Sequence, residues 1–370
     1  MKKRTLLSGL FVALVIFLVC GTFDKVSAQG KIQWKTTTTW EQGNPLSEGD
    51  KHFLKLVQEL APGEIDIKYF PGGSLIPALE IFGAVEKGTI DAGFEAPKYW
   101  TGKNTAFEPL GSYPMGLTPI DYLVWIYQGG GFEVYQEVYG KFGMVYLPIT
   151  LTTMESGLRS RKEVKTLADY KGLKLRMGGR IEGLILKDLG ASETVLSIPE
   201  VYQALEKGVI QGTAICTPDV DWSSGLQEVT KYWSAPGWHQ PASVLGLAIN
   251  KKSWDKLSSR LQSVLKTAAM YNLAWSFTFY EYRGIEYTKK FVDKGTKISR
   301  LSDKDLAQIT KIVNKHTLQS CKENPLLAKV IYSQFKFIND VTQWRGIAVP
   351  FTYGRNFETP DLNAIKSYIK

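Results

Sequence analysis

Residues 80–91 read EIFGAVEKGTID and residues 200–211 read EVYQALEKGVIQ, so one pattern occurs twice at an offset of 120 residues. The identical pairs are Glu80/Glu200, Ala84/Ala204, Glu86/Glu206, Lys87/Lys207, Gly88/Gly208 and Ile90/Ile210. Each copy predicts a helix that begins after a proline and ends at a glycine, followed by a short strand. Because repeated sequence usually marks repeated architecture, this echo predicts two lobes of similar build.

The segments around the two copies alternate between predicted strands and helices. The predicted strands are residues 65–69, 173–176 and 244–250, and the last is a continuous apolar run typical of a buried parallel sheet. The predicted helices are residues 53–60, 178–189, 252–291 and 302–343. This alternation predicts an α/β fold with sheets covered on both faces. No Pro/Ser-rich linker is present, so we expect strands that cross between the lobes.

The first 28 residues have the pattern of a secretory signal peptide. A basic start at residues 2–4 precedes an apolar run from Leu6 to Cys20, and the segment ends at the small residue Ala28. The run is shorter than the roughly 20 residues that a membrane-spanning helix needs. We therefore predict cleavage near Ala28 and a periplasmic location, with lipid attachment at Cys20 as the second interpretation.

The net charge of +9 is scattered along the chain and is not gathered in one basic stripe. This distribution argues against nucleic acid as a partner, whereas a modest positive field would attract an anionic solute. After cleavage the remaining cysteines are Cys216 and Cys321. They are predicted either to pair in an oxidising compartment or to stay as two separate thiols, and their spacing does not decide between these alternatives.

Ligands of open α/β sheets bind beyond the carboxyl ends of the strands. The echo therefore points to two loops, residues 94–100 and 213–218, which would face each other across a cleft. Arg176 lies at the carboxyl end of a predicted strand, just before two glycines that open a helix. A guanidinium beside N–H groups at a helix start can hold a carboxylate. The alternative is an ordinary surface salt bridge.

Other residues near these loops are candidates for contact with a solute. Glu155 is interpreted either as a polar contact or as a solvated loop residue. Tyr99 and Trp100 either line and close the cleft or pack in the core. Trp238 and Gln240 belong to a proline-bounded loop that is either a wall of the cleft or a rigid turn.

Motifs of the common enzyme classes are missing from this sequence. The histidines, His52, His239 and His316, have no metal-ligand spacing, and HExxH, GxSxG, P-loop and CxxC motifs do not occur. The sequence does not decide whether two carboxylates form a catalytic pair, because 36 acidic residues offer many pairings. We therefore predict that the protein is not an enzyme. The alternatives are a secreted enzyme acting on an organic acid and a sensory ligand-binding protein.

Several stretches carry a combination of motifs that extends over nearly all of the predicted mature chain. They are residues 73–75, 84–91, 171–176 and 199–210. Together they resemble the solute-binding protein of a tripartite ATP-independent periplasmic (TRAP) transporter, DctP-like. Residues 97–103, 125–131 and 236–241 further resemble the subgroup that binds 2-oxo acids.

The resemblance implies a two-lobed periplasmic-binding-protein fold, a clamshell with a long helix spanning both lobes. It implies capture of a small 2-oxo or 2-hydroxy acid, or a related carboxylate, which is then delivered to a membrane permease. Arg176 matches the arginine that holds the carboxylate of the solute. The expected partners are thus the organic acid and the permease subunits, and a homodimer stays open.

Four positions depart from the pattern of that subgroup. Glu155 stands where a glutamine contacts the ligand, and Ile215 stands where an aromatic residue is typical. Ala214 and Gln240 stand where glutamates help to hold a metal ion that bridges to the substrate. Because a hard cation needs carboxylate oxygens, a bridging Na⁺ or Ca²⁺ ion is in doubt, and Glu155 and Gln240 are the weak candidates left to hold one.

The predicted organisation of the chain follows from these patterns and from the resemblance. Residues 1–28 are the signal peptide, residues 29–150 with part of 245–290 form the first lobe, and residues 151–244 with part of 291–370 form the second. The helices of residues 252–343 are expected to span and pack on both lobes.

Overall fold

A computed structural model describes residues 31–194, 196 and 198–348. The predicted signal peptide and its cleavage point, within residues 1–28, lie outside the described residues. Within those ranges no helix combines the length and the apolar character needed to cross a membrane.

The strands of the described chain form two sheets. They are β1 (Ile32–Thr38), β2 (Ile65–Phe70), β3 (Ala92–Glu95), β4 (Met144–Leu151), β5 (Leu158–Ser160), β6 (Lys174–Arg176), β7 (Ser192–Glu193), β8 (Gly212–Thr213), β9 (Tyr232–Ala235), β10 (Val244–Asn250) and β11 (Lys297–Arg300). The first sheet has the order β2-β1-β3-β10-β4, and the second has the order β11-β9-β5-β8-β6-β7. The predicted strands at residues 65–69, 173–176 and 244–250 are confirmed.

The helices cover both sheets and connect their strands. They are α1 (Ser47–Leu60), α2 (Ile81–Lys87), α3 (Phe107–Gly111), α4 (Pro119–Gln128), α5 (Gly131–Gly140), α6 (Arg180–Asp188), α7 (Ile198–Glu206), α8 (Pro218–Ser223), α9 (Leu226–Val229), α10 (Lys251–Asp255), α11 (Ser259–Asp293), α12 (Asp303–Glu323) and α13 (Pro325–Ala348). Short 3₁₀ turns lie at Ala78–Glu80, Pro97–Trp100 and Leu167–Tyr170.

No strand of the described residues belongs to both sheets, so the expected crossing strands are not found. The chain passes between the sheets three times, through the irregular segments after β4 and β9 and through α11. It leaves the first sheet after β4 and enters the second at β5, and it returns from β9 to β10. The irregular connecting segments are therefore residues 152–157 and 236–243. Each of β5 and β10, the first strand after one of these segments, is antiparallel to both of its neighbours. The residue boundaries of the two lobes stay a prediction.

The prediction that β10 belongs to a parallel arrangement is wrong. This strand is antiparallel to β3 on one side and to β4 on the other. All seven of its residues are buried, because it lies inside the sheet and both faces are covered. Burial on two faces produces a continuous apolar run whatever the direction of the strand, so the run could not reveal the direction.

The sequence echo corresponds to two equivalent structural units. Helix α2 precedes β3 in the first sheet, and helix α7 precedes β8 in the second. Gly88 and Gly208 follow the helices of these units with φ angles of 74° and 72°, in the left-handed region that glycine adopts without steric cost. The shared glycines are therefore explained by the backbone conformation that ends each helix.

The two long helical stretches are each divided by a short break. Ser258 accepts a hydrogen bond from the N–H of Leu261 and caps α11, which separates this helix from α10. Asn324 separates α12 from α13, because its side-chain oxygen accepts from the N–H groups of Leu326 and Leu327. Polar caps inside a helical pattern thus mark ends that hydrophobic periodicity does not reveal.

Helix α11 has 35 residues and spans both sheets. In its first half Asn272 donates a hydrogen bond to the carbonyl of Ile149 in β4, at 2.7 Å. Near its end the ring of Phe291 lies 6.0 Å from that of Trp233 in β9. The expected long helix across both lobes is confirmed.

The two cysteines of the described chain are separate thiols and do not pair. Cys216 is buried and Cys321 is partly exposed. Burial raises the pKa of Cys216 well above its usual value, so this thiol stays protonated.

Candidate functional site

A cavity opens between the two sheets at the carboxyl ends of their strands. Its empty space, including open solvent at the mouth, is about 630 Å³. The 3₁₀ turn after β3 contributes Lys98 and Tyr99, while β6 ends in Arg176 at the opposite side. The two irregular segments that cross between the sheets contribute Glu155 and Gln240. The loops of residues 94–100 and 213–218 therefore meet at one site.

Arg176 presents its guanidinium to this cavity in a defined orientation. Its Nε donates to the carbonyl of Leu196 at 3.1 Å, and its Nη1 donates to the carbonyl of Ala214 at 3.0 Å. Burial lowers the pKa of this arginine, an effect that Tyr99 and Glu155 oppose. Within the described ranges no carboxylate forms a direct ion pair with Arg176. Backbone carbonyls orient the group but do not neutralise it, so its charge is available to an anion.

Glu155 is almost completely buried at the back of the cavity. Its Oε1 accepts hydrogen bonds from Gln240 Nε2 at 3.0 Å and from Ser243 Oγ at 2.7 Å. Its Oε2 lies 3.3 Å from Nε2 of His239, close enough for an ion pair although the alignment is not that of a hydrogen bond. The structure therefore places Glu155 inside a polar network, and the interpretation as a solvated loop residue is wrong.

Lys98 is a buried cation of the cavity that the sequence analysis did not single out. Its Nζ lies 2.5 Å from Glu182 Oε1 and 2.9 Å from Gln240 Oε1. The side chain of Glu182 is fully buried in α6, so this ion pair joins the turn after β3 to a helix of the second sheet. The signal available in the sequence was its position, since residue 98 lies inside the loop that the echo identified.

The remaining predicted residues divide into two groups. Tyr99 and Ile215 line the cavity, with Trp40 packed against Tyr99 at a ring separation of 5.9 Å. Ala214 is buried and contributes to the site through its backbone carbonyl, which accepts a hydrogen bond from Arg176. The side chain of Ile215 makes the wall of the cavity apolar at a position where an aromatic residue is typical of the 2-oxo-acid-binding subgroup.

Trp100 and Trp238 do not line the cavity, and the prediction that their rings do so is corrected. The Trp100 ring packs 5.1 Å from Phe82 in the core, and its indole N–H donates to the buried Glu95. The indole N–H of Trp238 donates to the hydroxyl of Tyr170 at 3.2 Å. Each indole therefore finds its hydrogen-bond partner in the interior, which is the usual condition for burying a tryptophan.

Known proteins with this fold have been solved with ligands. A TRAP transporter solute-binding protein from Bordetella bronchiseptica is 26% identical, with a TM-score of 0.81 over 91% of this chain and 97% of that chain. It is a mixed-occupancy dimer with calcium and picolinate in its occupied site. A second, from Pseudoalteromonas atlantica, holds sodium and pyruvate. It is 27% identical, with a TM-score of 0.77 over 86% of this chain and 97% of that chain.

The residues around this cavity do not fit the oxygen ligands that a hard cation requires. Glu155 Oε1 accepts from two donors, and its buried Oε2 lies against Nε2 of His239 at 3.3 Å. The amide oxygen of Gln240 already accepts from Lys98. Ala214 offers no carboxylate. Within residues 31–194, 196 and 198–348, no group of three or more His, Cys, Asp or Glu side chains is arranged to hold a metal ion.

The sequence comparisons agree with the structural ones. A monocarboxylate 2-oxoacid-binding periplasmic protein of Nostoc sp. is 28% identical over 353 residues, which are 94% of this chain and 96% of that protein. The model of the DctP family, bacterial extracellular solute-binding protein family 7, matches residues 36–324. The chain therefore belongs to this family, the solute-binding proteins of TRAP transporters.

Proposed function

We propose that the protein captures a small organic acid of the 2-oxo monocarboxylate class and delivers it to the membrane subunits of a TRAP transporter. The observation that carries this proposal is Arg176, whose guanidinium faces the cavity between the sheets and is held there by two backbone carbonyls. A charged donor fork of this kind suits a carboxylate. The 2-oxo acid of the Nostoc protein and the pyruvate of the Pseudoalteromonas protein support the same class.

The other walls of the cavity suit a solute that is small and only partly polar. Ile215 and Trp40 provide apolar surface, and Tyr99 combines a ring with a hydroxyl. Glu155 does not face the acid as a bare carboxylate, which would repel it. Its role in the proposal is to hold the amide of Gln240 in one orientation.

The same proposal places the protein outside the cytoplasm, as a periplasmic binding protein without a catalytic step. The dimer of the Bordetella protein supports a homodimer as the assembly to test, by light scattering of the purified chain.

Calorimetry with a panel of acids tests the function. The protein is first unfolded and refolded to remove any carried solute, and is then titrated with pyruvate, 2-oxobutyrate, lactate, malonate and uncharged glucose. We expect saturable binding of the 2-oxo acids with one site per chain, and no binding of glucose.

Two outcomes would contradict the proposal. One is the absence of binding for every acid in the panel. The other is turnover, which proton NMR of the recovered solute would detect as a new compound, whereas a binding protein returns the acid unchanged.

A further inference from the structure

The cavity contains a second cation besides Arg176, and it belongs to Lys98. An ammonium group has three N–H donors. Among the residues described, the acceptors of Lys98 Nζ are Glu182 Oε1 and Gln240 Oε1. One donor is therefore left for a solute, on a side chain that lines the cavity.

The amide of Gln240 is oriented by the charges on its two sides. Its Oε1 accepts from the ammonium of Lys98, and its Nε2 donates to the carboxylate of Glu155 at 3.0 Å. The opposite orientation would place the amide N–H₂ against an ammonium and the amide oxygen against a carboxylate. Electrostatics thus directs the amide oxygen of Gln240 toward Lys98.

This arrangement leaves no suitable place for a metal ion beside Gln240. A cation bound to Gln240 Oε1 would lie against the ammonium that already uses this oxygen, and the two like charges would repel at short range. The charged side chains that line the cavity are Lys98, Arg176 and Glu155. Lys98 is already paired with Glu182, so Arg176, which has no ion-pair partner among the described residues, supplies the charge that balances a monocarboxylate.

On the basis of the function proposed above, we propose that the Lys98 ammonium stands in for the bridging metal ion, so that this protein binds a 2-oxo acid without Na⁺ or Ca²⁺. Arg176 holds the carboxylate, and the remaining N–H of Lys98 donates to the 2-oxo oxygen. Lysine suits this role because its ammonium is a compact point charge. The Glu182 carboxylate holds the ammonium in place from the side of the second sheet.

Calorimetry of the full mature protein with pyruvate tests this inference in four buffers. One contains chelator with choline as the only added cation, and the others add sodium, calcium or both. We expect dissociation constants that agree within about twofold across the four buffers.

Two other outcomes distinguish a failure of the role of Lys98 from a failure of the proposed function. Binding that weakens by about tenfold or more in the chelator buffer, and returns with an added ion, would overturn the role of Lys98 but leave the function intact. Absence of binding for the whole panel in all four buffers would overturn the function, and the role of Lys98 with it.

A double variant tests the lysine directly. Lys98→Gln combined with Glu182→Gln removes the ammonium without leaving a buried carboxylate unpaired, and we expect pyruvate affinity to fall by about tenfold or more. The matched control is Lys103→Gln, which removes the same charge from the same segment at an exposed position outside the cavity. Equal affinities for the double variant and the wild type would overturn the proposal. If thermal melting shows that the double variant is unfolded, the calorimetry of the wild type in the four buffers still tests whether binding needs a metal ion.

Discussion

Glu108 Oε1 accepts a hydrogen bond from the backbone N–H of Ile181 at 3.0 Å. Glu108 lies in α3, between β3 and β4 of the first sheet, and Ile181 lies in the first turn of α6, between β6 and β7 of the second. Oε2 of the same carboxylate lies 3.5 Å from Nη2 of Arg180. A fully buried carboxylate from one side therefore caps a helix of the other side, close to the Lys98–Glu182 ion pair.

Replacing Glu108 with alanine should weaken both the fold and the contact between α3 and α6. Loss of a capping acceptor costs about 1 kcal/mol of stability, and the buried N–H of Ile181 loses its partner. We expect a lower urea midpoint and weaker pyruvate binding. Glu133→Ala is the control, because this acid lies in the first turn of α5 but is exposed. Equal losses in the two variants would argue against a link between the sheets.

Removal of the Arg176 side chain should abolish binding. The Arg176→Ala variant loses the charge and the donor fork that face the carboxylate, and we expect pyruvate affinity to fall by about 100-fold or more in calorimetry. Arg176→Lys keeps a charge but loses the fork, so an intermediate loss is expected. Arg161→Ala is the control, because Arg161 also donates to a backbone carbonyl but does not line the cavity. Near-normal affinity of Arg176→Ala would refute the site assignment.

A single methyl group at Gly178 should reduce the space for the solute without straining the fold. A Cβ at this position would lie 3.6 Å from Gln240 Oε1 and 3.9 Å from Arg176 Nη1, which are ordinary contact distances. We expect Gly178→Ala to weaken pyruvate binding by about tenfold and to leave the melting temperature unchanged. Gly102→Ala, where the methyl group would meet open space, is the comparison. A large drop in melting temperature for Gly178→Ala would show that the effect is structural.

Asp50 should make the protein less stable as the pH rises. Burial raises the pKa of Asp50 to about 8, whereas its hydrogen bonds with Thr38 and Tyr69 act in the opposite direction. Between about pH 4 and pH 8 the unfolded chain is ionised at this position while the folded chain keeps the proton. The free energy of unfolding therefore falls with pH in this window, by up to about 1.4 kcal/mol per pH unit.

The Asp50→Asn variant should flatten that dependence. Asparagine keeps an oxygen for Thr38 and Tyr69 but does not titrate. The buried Glu95, whose pKa burial also raises to about 8, contributes the same slope to both proteins and cancels in the difference. Urea unfolding near pH 5 and near pH 8 measures the two slopes, with the exposed Asp303→Asn as control. Identical slopes for wild type and Asp50→Asn would contradict the assignment.

The sequence alone was enough to predict those parts of the fold that depend on interactions between residues close together in the chain. The echo predicted two units of helix, left-handed glycine and strand. Helices commonly end at a glycine in the left-handed conformation, so the same sequence pattern predicts the same backbone in both copies. Arg176 was recognisable because it ends a strand just before two glycines, and strand ends are where open sheets bind ligands. Hydrophobic periodicity located the long helices but not their breaks at Ser258 and Asn324, which side-chain caps determine.

Tertiary structure decided everything that depends on which surfaces meet. The direction of β10, the burial of Trp100 and Trp238, and the separation of Cys216 from Cys321 follow from packing partners distant in sequence. Lys98 is the clearest case, because its charge matters only through Glu182, which is 84 residues away, and Gln240, which is 142 residues away. Local sequence can place a charged side chain beside a strand end, but only the folded chain shows which opposite charge holds it there.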